Sequence, residues 1–252
     1  MLNKKKKNLQ HKSTEVWNEY YKSQQKGDTS GNEYPSEGLV RHISNLRKNN
    51  NKFDYFNDAG VENKIRSNFK GKALEIGFGN LTNLRMVKKK GFDCYGLEVS
   101  ENSVKRSKQY IKNKKIKNIK TYLWQPSKIP FKNNSFDLVY GMQCIYYKLD
   151  FEFFLEEVRR VLKKNGNFIF SFFSDKHHYT TKYSEKVDSK KNLIRWSSKH
   201  PNKRIRYAIL YQPKSKVHLK SLFKKFRKVK ISTYEHDDLP IFQSWWYISG
   251  IK

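Results

Sequence analysis

Three observations predict an α/β fold, a mostly parallel sheet with helices on both faces. Short apolar runs alternate with stretches of helical period from about residue 73 to the C-terminus. The first run, Ala73 to Ile76, passes into a helical pattern through Gly77-Phe78-Gly79, where two missing side chains free the backbone to approach a ligand. A second run closes on Glu98, 23 residues after Glu75, about the length of one βαβ step.

Each element follows from its residues. Leu81, Leu84 and Val87 give the helix after the glycine turn, and Phe92, Cys94, Tyr95, Gly96 and Leu97 give the second strand. A third strand is expected near Ile119 to Trp124 and a fourth near Phe136 to Gly141. Phe151, Phe154, Leu155, Val158, Val161 and Leu162 fall at helical spacing, with Asn165 and Gly166 suited to the helix C-terminus. NFIFSFF reads as a fifth, buried strand. Leu219, Leu222, Phe223 and Phe226 predict a last helix, followed by strands in FRKVKISTYE and QSWWYISGIK on either side of a loop holding Pro240.

The glycine turn admits two kinds of ligand. A dinucleotide fingerprint wants a third glycine where Thr82 stands, and a carboxylate at Glu75 repels a pyrophosphate while attracting positive charge. S-adenosylmethionine carries a sulfonium and an amino group. The stretch LEIGFGN resembles motif I of the class I S-adenosylmethionine-dependent methyltransferases, and IPFKNNSFDLVYG resembles the same family's loop and fourth strand. A Gly-x-Gly turn alone is also a common packing device. The resemblance covers roughly residues 58 to 252 and implies a Rossmann-like, seven-stranded sheet with an antiparallel last strand and S-adenosylmethionine as cofactor. It implies contacts from Glu75, Gly77, Phe78, Gly79, Asn80, Glu98, Val99, Gln125, Pro126 and Gln143. Glu98 would accept from both ribose hydroxyls, and the Gln125 amide would stand near the adenine amine, with Trp124 and Pro126 beside the ring. Leu81, Gln125 and Tyr146 depart from the family pattern, standing where a third glycine, an acid and a histidine are common.

Residues 1–12 read as a disordered basic tail, 13–57 as an aromatic, helical lid, and 58–252 as the methyltransferase domain with a substrate-loop insertion near 175–213. Tyr34 and Glu37 in NEYPSE fit either the lid or a helix cap and packing residue. No apolar run approaches the ~18 residues of a membrane span, and MLNKKKKNLQHK has no apolar stretch behind its charges, which points to a cytoplasmic protein. Cys94 and Cys144 read as unpaired core thiols, and no His or Cys spacing suits a metal.

The net charge of +30 rests on 42 Lys and 11 Arg among abundant Asn, Ile, Tyr and Phe, a bias that compositional drift explains in large part. The lysine-rich stretch 105–120, with Lys105, Lys108 and Lys112, reads first as a solvated helix face. An RNA methyltransferase using that surface is the alternative function, weakened because neither Asn-Pro-Pro-Tyr after the fourth strand nor Pro-Cys at Cys144 is present. The main expectation is methyl transfer to a small polar acceptor, a sugar or sugar-nucleotide by likeness to bacterial surface-sugar pathway enzymes. Such a displacement depends on placement in line and needs a base only when the acceptor must lose a proton. His177 and His178, after the fifth strand, could supply that base, Tyr146 and Tyr147 are expected to face the transfer site, and His177 and Tyr146 are the catalytic candidates.

Overall fold

The computed structural model of the protein describes residues 14–22, 34–44, 46–49, 52–55, 71–125, 127–237 and 241–252. The expected tail at 1–12, Pro126 and Pro240 lie outside them. In chain order, a helical segment α1 (14–22) is followed by α2 (Glu37–Ser44) and a hairpin of β1 (Leu46–Asn49) and β2 (Lys52–Tyr55). The 13–57 region is therefore not wholly helical. The sequence over 49–51 is three asparagines, a residue type that tolerates tight turns, which favours a hairpin over a continued helix.

The domain itself runs β3 (Gly71–Ile76), α3 (Thr82–Lys89), β4 (Phe92–Glu98), α4 (Glu101–Asn113), β5 (Ile119–Leu123), β6 (Phe136–Gly141), α5 (Phe151–Val161) and β7 (Leu162–Phe173). Then come α6 (His178–Tyr183), β8 (Ser184–Asp188), β9 (Leu193–Trp196), β10 (Ile209–Tyr211), α7 (Lys216–Leu222), β11 (Arg227–His236) and β12 (Gln243–Ile251). The seven-stranded sheet has the order β11-β12-β7-β6-β3-β4-β5, with β12 antiparallel to both neighbours and the β7-to-β5 side parallel throughout. The expected fold class is the observed one.

Two features of this order position the site. From β3 the chain steps outward through β4 and β5, then returns to β6 on the other side of β3 and steps outward again. Right-handed crossovers in opposite directions put helices on opposite faces and leave a crevice at the strand ends where the direction reverses. The central strands are buried on both faces, so they read as continuous apolar runs: Ala73, Leu74 and Ile76 in β3, Leu138, Val139 and Tyr140 in β6, Phe168, Ile169, Phe170 and Phe172 in β7. Around them α3 buries Leu84 and Val87, and α5 buries Phe154, Leu155 and Val158. The α5 helix stops at Val161, sooner than its apolar period suggests, and β7 starts at once; Asn165 (φ 62°) takes a left-handed conformation inside the strand entry.

The long connection expected as a substrate loop is an ordered unit. Strands β8, β9 and β10 form a second antiparallel sheet in the order β10-β9-β8. Its core is aromatic: Trp196 is fully buried, 5.3 Å from the Phe173 ring and 5.1 Å from His200. His177 and His200 are both buried and each leaves its Nε2 without a hydrogen-bond partner. Burial lowers the pKa of both, with His178 adding to the effect at His177, which falls to about 4.

These imidazoles predict acid sensitivity. A histidine whose folded pKa lies below the unfolded 6.5 contributes stability that is complete above pH 6.5 and lost as pH falls toward the folded value, here about 4 at His177. The loss at His177 is on the order of 3 kcal/mol. Urea unfolding at pH 7 and pH 4.5 should show it, and in His177→Asn, which keeps an acceptor at the α6 N-cap, the difference between the two pH values should shrink by ~1 kcal/mol or more.

Candidate active site

The crevice holds a cavity of about 300 Å³ at the ends of β3, β4 and β6. Its floor is the glycine turn. Gly77 (φ +71°) and Gly79 (φ +52°) both take left-handed backbone, and a Cβ at Gly77 would lie 2.7 Å from the Cys144 side chain. Leu81 follows at φ 67° although it has a side chain, which it buries in the core. The backbone thus repeats the left-handed conformation at all three alternate positions, and the third holds it against a cost of about 1–2 kcal/mol.

Glu98, at the end of β4, faces the cavity and ties down the turn. Its Oε2 accepts from Gly79 N–H at 3.1 Å and its Oε1 from Val99 N–H at 2.7 Å and Ser100 N–H at 3.3 Å. Burial pushes its pKa up against the pull of these amides and of Lys148. A carboxylate has about four acceptor sites. Accepting two ribose hydroxyls as well would therefore release one amide, and Ser100 N–H holds the longest of the three bonds.

Glu75 is placed differently from its expected position in the crevice. It is fully buried behind Asn83, whose Nδ2 donates to Oε1 at 2.9 Å, while Tyr140 Oη donates to Oε2 at 3.2 Å. Asn83 lines the cavity and Glu75 does not. Burial raises the Glu75 pKa to about 8, the two hydrogen bonds only partly opposing it.

Of the other expected residues, Phe78, Asn80, Val99 and Gln143 line the cavity. Gln143 takes φ 56° and its N–H donates to Ser171 Oγ at 2.7 Å. Gln125 is exposed and outside the lining, because β5 ends at Leu123 and only Trp124 turns inward. Pro126 lies outside the described residues. Tyr146 and His177 do not line the cavity either. Tyr146 is buried against Tyr147 and Phe173, and His177 packs edge-on against the stacked Phe173 and Trp245 rings. It is Tyr147 that reaches the cavity, its Oη accepting from Trp196 Nε1–H of the inserted sheet at 3.2 Å.

Two contributions were not read from the sequence. Asn83 had no motif to mark it. Lys148 sits in an apolar stretch, CIYYKLDF, which is the signal that a lysine there is unusual; it is buried with Nζ 4.3 Å from the Trp124 ring centre, and burial lowers its pKa to about 8. Helix α1 supplies Trp17, Tyr20 and Tyr21 to the lining and is moored by Asn18, which accepts from Ser100 Oγ at 3.2 Å and Asn102 Nδ2 at 3.1 Å. Tyr21 leans on the glycine turn: a Cβ at Gly79 would stand 2.7 Å from its Oη.

Residues 74–170 match the family described as a methyltransferase domain. The chain carries a methyltransferase domain. The match begins one residue before Glu75 and ends within β7, so it contains the glycine turn, Glu98 and the β6 end, and excludes α1 and the inserted sheet. Among curated proteins the chain is 29% identical to sarcosine/dimethylglycine N-methyltransferase of Aphanothece halophytica over 102 residues, 40% of this chain and 37% of the relative's length. The matched part is thus well under half of that enzyme. Solved structures with the same fold include a Pyrococcus horikoshii protein (TM-score 0.54, 20% identical, 74% of this chain and 84% of that one). An S-adenosylmethionine-dependent methyltransferase of Methanosarcina mazei also shares it (TM-score 0.57, 14% identical, 72% and 92%).

Proposed function

We propose that the whole protein transfers the methyl group of S-adenosylmethionine to a small polar acceptor. The observation that carries this reading is the cavity where the Gly77–Asn80 turn, the Glu98 carboxylate and the β6 end converge under α1. Gly77, Phe78, Gly79, Asn80, Glu98, Val99 and Gln143 are the proposed cofactor contacts, with Asn83 relaying Glu75. Helix α1 serves as the lid over them, and the inserted sheet, through Trp196 and Tyr147, shapes the acceptor end. The enzyme's part is placement, since attack on the sulfonium methyl proceeds without a covalent intermediate. A sugar or sugar-nucleotide acceptor is the finer reading that the sequence resemblance suggests; the name of the Aphanothece relative suggests an amine instead.

The test is thermal. A ligand that binds only the folded state stabilises it by about 2.7 kcal/mol at 100 times its Kd, which for a domain of this size raises Tm by ~5–10 °C. S-adenosylmethionine and S-adenosylhomocysteine should produce that shift and NAD should not. A shift with NAD and none with S-adenosylmethionine would sink the reading.

A further inference from the structure

Resting on that reading, we infer that the acceptor is a cationic amine, held as its ammonium and methylated as its free base within an aromatic box formed by Trp17, Tyr20, Tyr21 and Tyr147. All four line the cavity. Trp17 meets Tyr20 at 5.4 Å and 68°, Trp17 meets Tyr147 at 5.0 Å and 70°, and Tyr20 meets Tyr21 at 5.1 Å and 88°. Near-perpendicular pairs set their ring planes in different directions around the cavity, and Arg106, with its guanidinium carbon 5.6 Å from the Tyr21 ring centre, already uses one of these rings as a cation partner. Such faces attract ammonium groups through the ring quadrupole, most strongly when water is excluded.

The reaction itself needs this kind of wall. The bound ammonium first gives its proton to water, which frees the lone pair; that pair attacks the methyl carbon, and the C–S bond breaks with its electron pair passing to sulfur. S-adenosylhomocysteine forms, and the positive charge moves from sulfonium to the new N-methylammonium, which releases a proton to water if it carries one. A carboxylate beside the acceptor would hold its proton strongly and keep the lone pair blocked, whereas a ring face attracts the cation more weakly, so the proton is more easily released, and offers no atom to be methylated in its place. Among the described residues that line the cavity, the charged groups are Glu98 and Lys148. Glu98 is bonded to three backbone amides, and Lys148 lies over Trp124. An ammonium is far more acidic than a sugar hydroxyl and can give its proton to water without a dedicated base, whereas the hydroxyl needs one during attack, and the lining offers it neither a histidine nor an aspartate.

Tetramethylammonium, which has the charge and shape of a fully methylated amine, is the probe. Titrated calorimetrically into the protein saturated with S-adenosylhomocysteine, it should bind saturably, while uncharged tert-butanol of similar shape should not. Trp17→Leu and Tyr20→Leu, both on α1 outside the sheet core, should each weaken it about fivefold or more. Tyr147→Phe keeps the ring face and should bind within about twofold of the parent. Equal binding of the two probes, no saturation by either, or unchanged affinity in both leucine variants overturns the inference while S-adenosylhomocysteine still raises Tm. Failure of S-adenosylhomocysteine to raise Tm overturns the cofactor reading beneath it as well.

Discussion

Replacing Gly79 with valine should leave a folded protein that has lost its cofactor. The backbone there sits at φ +52°, where a β-branched residue costs about 1–2 kcal/mol, a small part of the stability of a domain of this size. A side chain at this point projects into the space between the turn and α1, where Tyr21 Oη already comes within 2.7 Å of the Cβ position. Tyr21 can withdraw with its helix, but a ligand lying on the turn cannot. The affinity for S-adenosylmethionine should fall roughly 100-fold or more, about 3 kcal/mol, with the cooperative melt retained. Glu98→Ala tests the same site less cleanly, because Gly79, Val99 and Ser100 N–H groups lose their acceptor together. Glu98→Gln retains an acceptor oxygen and removes the charge. It should lower affinity ~10- to 100-fold, the range of two charge-assisted hydrogen bonds. A folded Gly79→Val protein with normal affinity would place the cofactor elsewhere.

The glycine turn and Glu98 were legible in the sequence because each answers a local demand of the backbone. A left-handed turn between a strand and a helix selects glycine, and an acid at the end of the next strand lies one βαβ step away by chain length alone. The strands were legible for a related reason, since a sheet covered on both faces writes apolar runs into its sequence. The seat of α1 was not. Asn18 meets Ser100 and Asn102 across more than 80 residues, and no periodicity in WNEYYKS encodes which surface its rings will cover. The same limit displaced Gln125, His177 and Tyr146. Whether a residue just past a strand turns toward a crevice or away is set by one or two backbone angles, and Trp124 took the inward turn that leaves Gln125 in solvent. His177 looked available because it follows a strand end in a long connection. Phe173 of β7 and Trp245 of β12 bury it instead.

The affinity for S-adenosylmethionine should rise with pH up to about 8 through Glu75, a residue that need not touch the cofactor. In the cofactor-free protein burial raises the Glu75 pKa to about 8, so the carboxyl is mostly protonated at neutral pH. A sulfonium and an ammonium placed beyond Asn83 favour the ionised form and lower that pKa. Binding then releases a proton at any pH between the lowered value and 8, and affinity should rise by up to about tenfold per pH unit across that window. Stability of the free protein runs the other way for this group. A carboxyl whose folded pKa exceeds its unfolded value near 4.5 contributes stability that is complete below pH 4.5 and lost as pH rises toward 8. Both trends depend on ionisation at one position, so Glu75→Gln, which keeps an oxygen for Asn83 to donate to, should flatten them together. Calorimetric titration from pH 6 to 8 in two buffers of different ionisation enthalpy measures the proton directly: about one released by the parent and, after subtracting the cofactor's own titration, none by the variant. Equal proton release by parent and variant would mean that the charge of the cofactor is balanced at Glu98 alone, and that the acid preceding the glycine turn acts only as a buried strut between Asn83 and Tyr140.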